Sequence, residues 1–336
     1  MKEEDGSSQT SQDDSIVSLM RLAGPRESLP KDVHARLEES FREALRDAQR
    51  RRRMRNIGAF SAVAAVLVVA LMLSLQPEQQ PQTMAATVVR MTGAVLLNSD
   101  GSSGDIRSGI AVGTRVHTGS GGRVLLSLVA SSTTVRLDHA TELELRSETE
   151  LFLKSGSIYI DTGGVSQALS SLTVSTEFAD ITDVGTQYLI TAASTGTTVA
   201  VREGIVRIVT DGQQIEGHAM QDAAEQLSIS NTRQINTRTI QKHGGNWSWI
   251  HSIAPGFDTH NRPVIECLNW ISRETGRSLQ FASPAIEEAA HKVKLQGSLP
   301  QMAPEELLTE IQRATGFVTM DSEEGVILIH RASDAE

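Results

Sequence analysis

The side chains able to ligate a metal or exchange protons in this 336-residue sequence are nine histidines, one cysteine and 41 carboxylates. Their spacing assembles no reactive group. No two histidines stand at i, i+4 or flank a single residue, the spacings that aim two imidazoles at one metal. Asp138 and His139 adjoin at an expected strand turn, where neighbouring side chains should diverge. A phosphate-cradling glycine loop ending in lysine is missing from the sequence, and so is the G-x-S-x-G turn that exposes a nucleophilic serine. Cys267 stands alone, which excludes an internal disulfide and any multi-thiolate metal site. Trp247, Trp249 and Trp270 interrupt an aromatic content of only 4% and are expected to pack the core of the last domain. No catalytic residue, cofactor or metal is expected, so the chemistry is that of a chain that senses, binds or relays.

Charge is distributed unevenly. Residues 1–56 carry 12 basic and 11 acidic groups, whereas the residues after Gln76 carry 19 basic against 30 acidic, a net charge of -11. An acidic body of this kind lacks the basic face that nucleic acid requires. Between the two parts, Ile57 to Leu75 reads IGAFSAVAAVLVVALMLSL, about 19 uncharged residues and long enough as a helix to cross the ~30 Å hydrocarbon core of a bilayer. Arg50, Arg51, Arg52, Arg53 and Arg55 stand directly before it, while the other flank, QPEQQPQT, carries only Glu78. The positive-inside rule then keeps the N-terminus in the cytoplasm and sends the rest of the chain across the membrane, with the arginines against anionic lipid.

The expected organisation is a cytoplasmic tail at 1–56, a transmembrane helix at 57–75, a Pro/Gln-rich linker at 76–86, a β domain at 87–232 and an α+β domain at 245–332. The tail holds two helical patterns. Ile16, Leu19 and Met20 lie on the first, which Gly24-Pro25 ends. Val33, Leu37, Phe41, Leu45 and Ala48 recur as one apolar stripe on the second. Helices this short cannot bury their stripes against each other, so a protein partner and a plain lead-in to the membrane are the two readings.

From Thr87 onward, short apolar or alternating runs are punctuated by glycine, and about ten strands follow without a helical pattern between them. GTRVHTGSGGRVLLSL (113–128), TTVRLDHATELEL (133–145), LKSGSIYIDTG (153–163), DVGTQYLI (183–190) and VREGIVRIV (201–209) stand in one order. In that order they resemble the FecR domain. The family's closing signatures are Gly185-Thr186 followed by an aromatic, here Tyr188 where Phe is usual, and Glu203-Gly204-Ile205-Val206. From the residues themselves, Gly185 and Gly204 read as turn positions and Thr186 as a hydroxyl bonding nearby backbone, so the five motif residues Gly185, Thr186, Tyr188, Glu203 and Gly204 are structural.

Beyond Trp247 the period lengthens. A helix opening at Pro263, the strand SLQFA, a short helix at PAIEEAA, a second long helix from Pro304 and the hairpin FVTMDSEEGVILIH make an α+β domain of two repeated units. The two long helices end in ISRETG and IQRATG, 40 residues apart, an internal repeat or convergent capping. This segment resembles the C-terminal domain of FecR-type regulators, which is similar to the secretin and TonB short N-terminal fold. The resemblance implies a membrane-anchored regulator whose tail holds an extracytoplasmic-function sigma factor and whose outer part meets a periplasmic or outer-membrane transducer. The family's tail usually offers a tryptophan and this one has none, so the sigma-factor contact is expected at Ile16, Leu19, Met20, Val33, Leu37 and Phe41. The alternative from another class is an envelope structural or ligand-binding module whose tail only anchors it.

Overall fold

Runs in which every second residue is apolar can bury one face only as strands, and in the computed structural model they do so from Met84 to Ile240. Residues 33, 39, 41, 42, 46, 83–97, 109–163, 171–297, 302–322 and 325–331 are described. The chain divides into two units, Met1–Gln80 and Pro81–Glu336. In the first, Val33, Glu39, Phe41, Arg42 and Arg46 are helical, with Phe41 exposed and Val33 half-buried. Ile16, Leu19, Met20, Leu37, the arginines at 50–53 and 55, and the apolar run at 57–75 lie outside the described residues. Among the described residues no helix is long and apolar enough to cross a membrane.

In the second unit, fourteen strands hydrogen-bond into one sheet. They are β1 (Met84–Leu97), β2 (Ile110–Ala111), β3 (Arg115–Leu128), β4 (Thr134–Leu137), β5 (Glu142–Leu145), β6 (Glu150–Asp161), β7 (Thr173–Ser175), β8 (Asp180–Asp183), β9 (Gln187–Ala193), β10 (Gly196–Glu203), β11 (Ile205–Thr210), β12 (Gln213–His218), β13 (Ala224–Ser230) and β14 (Ile235–Ile240). The expected β-rich architecture is present, with β1 starting before residue 87 and β14 lying beyond residue 232. One path runs β12-β11-β8-β7-β6-β4-β3-β1-β2, and a branch leaves β6 through β9, β10 and β13 to β14. β6 is the hub: its first residues pair with β5 and β7, its last six with β9, and the final four of these also with β4. Around it the sheet encloses one apolar core that includes Leu126, Leu137, Ile158, Ile190, Val199 and Val206.

The rest of the unit is the smaller α+β lobe. It contains α1 (Ser248–His251), α2 (Val264–Thr275), β15 (Ser278–Phe281), α3 (Pro284–Lys292), α4 (Pro304–Thr315), β16 (Phe317–Asp321) and β17 (Val326–Arg331). β17 is central, parallel to β15 and antiparallel to β16. The long helices α2 and α4 present Leu268, Ile271, Leu307 and Ile311 to one core with Phe317 and Ile329, and buried Cys267 joins them as a free thiol. Proline sits at or just before the start of all three helices that pack on this sheet. Its fixed φ and missing N–H suit the first turn, where no intrahelical acceptor is available.

Candidate functional site at the joint between the two lobes

A strand covered on both faces must find partners for whatever side chains its second face carries, polar ones included. β4, β6 and β10 are such strands. One face sends Val135, Leu137, Ile158, Ile160, Val199 and Val201 into the β core. The opposite face carries Arg136, Tyr159, Asp161 and Ala200, with Arg136 directly beside Tyr159 in the ladder. Arg202, two residues after Ala200, lies on the same face by ordinary alternation, and the register shifts around it, Val201 pairing with Tyr188 and Glu203 with Gln187. The covering comes from α1 and the end of α2. Arg136 and Tyr159 are fully buried and Arg202 is 2% exposed.

Of the two buried arginines, Arg136 meets a carboxylate across the joint and Arg202 a carbonyl and an aromatic ring. Arg136 Nη2 donates to Glu274 Oε1 at 3.0 Å, its Nη1 lies 2.7 Å from Glu274 Oε2, and Nη1 also donates to the Ile250 carbonyl at 3.2 Å. Burial opposes the charge on Arg136, but the Glu274 carboxylate, with Tyr159 and Asp161 behind it, more than offsets this and holds its pKa above the ordinary value. Arg202 donates from Nη1 to the Glu274 carbonyl at 3.0 Å and lies 4.3 Å from the Trp247 ring centroid. Trp247 meets Tyr159 edge-on at 6.3 Å and donates its indole N–H to the Gln241 carbonyl. Tyr159, between two arginines, is nonetheless pushed up to about 12 by burial.

At the rim of the joint, Arg273 grips Asp161 with two hydrogen bonds, at 2.5 and 2.8 Å, and lies 3.5 Å from Glu203. Gln187 and the Gly163 N–H also donate to Asp161. Burial would raise the Asp161 pKa; the Arg273 fork and the other two donors outweigh it, and the carboxyl sits below its ordinary range. A depressed carboxylate contributes stability that is complete above its unfolded pKa of about 3.9 and is lost as pH falls through the folded value. Asp161→Asn is therefore expected to cost roughly 2 kcal/mol at pH 7 and progressively less below about pH 4. Urea unfolding of both proteins across that range checks it, and a cost that stays constant in acid would refute the assignment.

The structure brings the motif residues Gly185, Thr186, Glu203 and Gly204 together next to this joint. Gly204 has φ of 78°, and a side chain there would fall 2.3 Å from the Gly185 carbonyl oxygen, so the two turns touch backbone to backbone. Thr186 differs from expectation. Its hydroxyl is buried without a hydrogen-bond partner among the described residues, while Thr162 Oγ1 accepts from the Thr186 N–H and donates to its carbonyl. Tyr188 faces the β core, fully buried. Glu203 alone of the five reaches the joint, through Arg273.

Two further expectations are corrected. Asp138 and His139 do meet, at 3.0 Å, because Ala140 turns the chain with φ of 51° and Arg123 fixes Asp138 at 2.8 Å. Trp247 packs with Tyr159, Ala200 and Ile250 at the joint and not in the core of the α+β lobe, where Trp270 lies against Phe257. Arg136, Tyr159, Asp161, Arg202, Arg273 and Glu274 were not singled out by sequence. The available signal was a charge in the second-face position of an otherwise apolar strand, as in TTVRLD and TTVAVREG. Among the described residues no group of three or more potential ligands could hold a metal ion.

Comparison with known proteins bears on the same segment. Residues 114–207 match the family model described as FecR protein. No curated protein matches the chain. Two crystal structures described as a candidate anti-sigma factor from Parabacteroides distasonis ATCC 8503, at 1.65 and 2.50 Å resolution, align at 16% and 17% identity. The alignments cover 65% of this chain and 99% and 98% of theirs, with TM-scores of 0.35 and 0.34, too low to argue mechanism from. The match to the FecR family model runs from the residue before β3 to the middle of β11.

Proposed function

We propose that this protein is a membrane-anchored regulator of the FecR type, one that relays an envelope signal to a cytoplasmic extracytoplasmic-function sigma factor. The match of residues 114–207 to the FecR family model is the observation that carries the reading. The sequence before it supports the topology: a charge-free run at 57–75 behind five arginines would anchor the chain in the inner membrane with its tail inside. The tail would then offer Ile16, Leu19, Met20, Val33, Leu37 and Phe41 to the sigma factor, and Phe41 is 68% exposed. The arginines would rest on anionic lipid, and the β domain and α+β lobe would meet a transducer in the periplasm. Such a device binds and releases; it needs no catalytic step. It does need two states with different affinity for the signal, since a ligand that binds both equally transmits nothing.

Removing residues 1–49 from the chromosomal copy and measuring all transcripts tests the reading. A regulator is expected to move one defined set of promoters together and leave the rest unchanged. An unaltered transcriptome would reject sigma-factor control and return the chain to the class of envelope structural or binding modules.

A further inference from the structure

On the second face of the branch β6-β9-β10-β13-β14, the cover that α1 provides stops short. Tyr159, Leu189 and Ala200 share one rung of the ladder and pack with Trp247, Trp249 and Ile250. The next rung on that face, Ser157, Thr191 and Thr198, carries a hydroxyl on every strand and is only half-buried. A cavity of about 290 Å3 opens over it, walled by Gln226 and Arg238 from β13 and β14 and by Asn246 and Trp249 from the covering segment. The polar groups of these walls are not used up by one another. Gln226 is only 7% exposed; its Oε1 accepts from Arg238 Nη2 at 3.1 Å, while its Nε2 has no partner among the described residues and is not occluded, so the exposure it keeps is toward the cavity it lines. The Thr198 hydroxyl, the Asn246 amide and the Trp249 indole N–H also lack partners among the described residues, and all three residues keep accessible surface. Ser157 and Thr191 share one hydrogen bond at 2.9 Å, which uses one of their two donors. No carboxylate lines the cavity, in a chain of net charge -10, and Arg238 is the one cation among the lining residues.

A ligand matched to these walls has groups that both donate and accept, carries no strong charge, and turns an apolar face to the indole. Ser, Thr, Asn and Gln side chains donate and accept as sugar hydroxyls do. The C–H face of a pyranose ring packs on an aromatic wall by dispersion, with its hydroxyls directed to the sides, and an aromatic wall with a few convergent polar groups is the usual make-up of a small-molecule site. A peptide would gain most from an unpaired strand edge, but the floor strands β9, β10 and β13 are hydrogen-bonded on both sides. We propose that this cavity binds a saccharide, with one ring resting on Trp249 and its hydroxyls bonded to Thr198, Gln226 and Asn246. The hydroxyl rung continues outward through Ser228 to Asn236 at the ~4.8 Å spacing of neighbouring strands, so an oligosaccharide meets more partners than a single ring.

Calorimetric titration and saturation-transfer NMR of the full-length chain test this, in a detergent without a sugar headgroup, with maltotriose, cellotriose, chitotriose and trialanine as separate probes. At least one trisaccharide is expected to bind saturably at one site with a dissociation constant of roughly 1 mM or below, and to receive magnetisation most strongly at ring C–H protons. Thr198→Val keeps the shape and the strand preference of a half-buried position, so the fold stays intact, and it is expected to weaken binding about fivefold, as loss of one hydrogen bond does. Trp249→Ala is expected to weaken it about tenfold through loss of the aromatic wall. Absence of saturable binding by all three trisaccharides overturns the proposal, as does binding that both variants leave within twofold of the parent. Trialanine bound as tightly as the best trisaccharide overturns it too and reassigns the cavity to peptides. The measurement involves no sigma factor, so its outcome is separate from that of the promoter experiment.

Discussion

Glu274→Gln is expected to destabilise residues 81–336 by roughly 3–5 kcal/mol, the usual cost of leaving one half of a buried ion pair without its partner. Arg136 has no exposed side-chain surface and its nearest alternative acceptor is one backbone carbonyl, from Ile250. It can neither reach water nor deprotonate, so its charge stays and its counterion is gone. The companion result is expected to have the opposite sense. Replacing both partners with apolar residues of similar length, Arg136→Met with Glu274→Leu, should recover most of the loss, because two desolvated charges are removed together. Urea unfolding followed by tryptophan fluorescence measures both, Trp247 being packed with Tyr159 and Ile250, which Arg136 also meets. A cost below about 1 kcal/mol for Glu274→Gln would mean that water reaches Arg136, and hence that the lobes part readily. The double variant also separates two roles of the pair. If it is stable but unfolds in more transitions than the parent, the ion pair holds the lobes in one register more than it adds net stability.

The elements of both lobes were legible because their information is local. Period-two alternation marked the strands, period 3.6 with leading prolines and trailing glycines marked α2 and α4, and the ordered motifs between 113 and 209 marked the segment that matches the FecR family model. The joint was not legible, for a definite reason. Alternation says that Arg136 points away from Val135 and Leu137, and with one sheet in view that direction is solvent. Only the fold reveals that Glu274, 138 residues later, occupies the space. Arg202 repeats the case: alternation sets it on the same second face as Ala200, and only the fold shows that Trp247 covers it. The same blindness assigned Trp247 to the wrong core: its neighbours Tyr159 and Ala200 lie in strands far upstream. The tail residues expected to meet a sigma factor rest on a periodicity that the described residues touch only at Val33 and Phe41.

The repeated ending ISRETG and IQRATG supplies an internal control for how tightly the lobes dock. Gly276 and Gly316 both close a twelve-residue helix in the left-handed region, with φ of 70° and 71°. An alanine at either pays the same conformational penalty, about 1 kcal/mol or slightly more. Their surroundings differ. Nothing lies within 4 Å of a side chain added at Gly316, whereas one added at Gly276 would fall 2.2 Å from the Lys242 carbonyl oxygen and 2.9 Å from Arg202 Nε. Neither neighbour is a mobile chain end: one is backbone and the other is wedged against Trp247. Gly316→Ala is therefore expected to cost about 1 kcal/mol, and Gly276→Ala roughly 3 kcal/mol once overpacking is added to the same strain. The difference of about 2 kcal/mol, read from denaturant unfolding of the two variants, isolates the lobe contact from helix capping. Equal costs would show that the segment around Lys242 yields without resistance, and a joint that yields so easily could neither hold two buried arginines dry nor transmit a change at one lobe to the other.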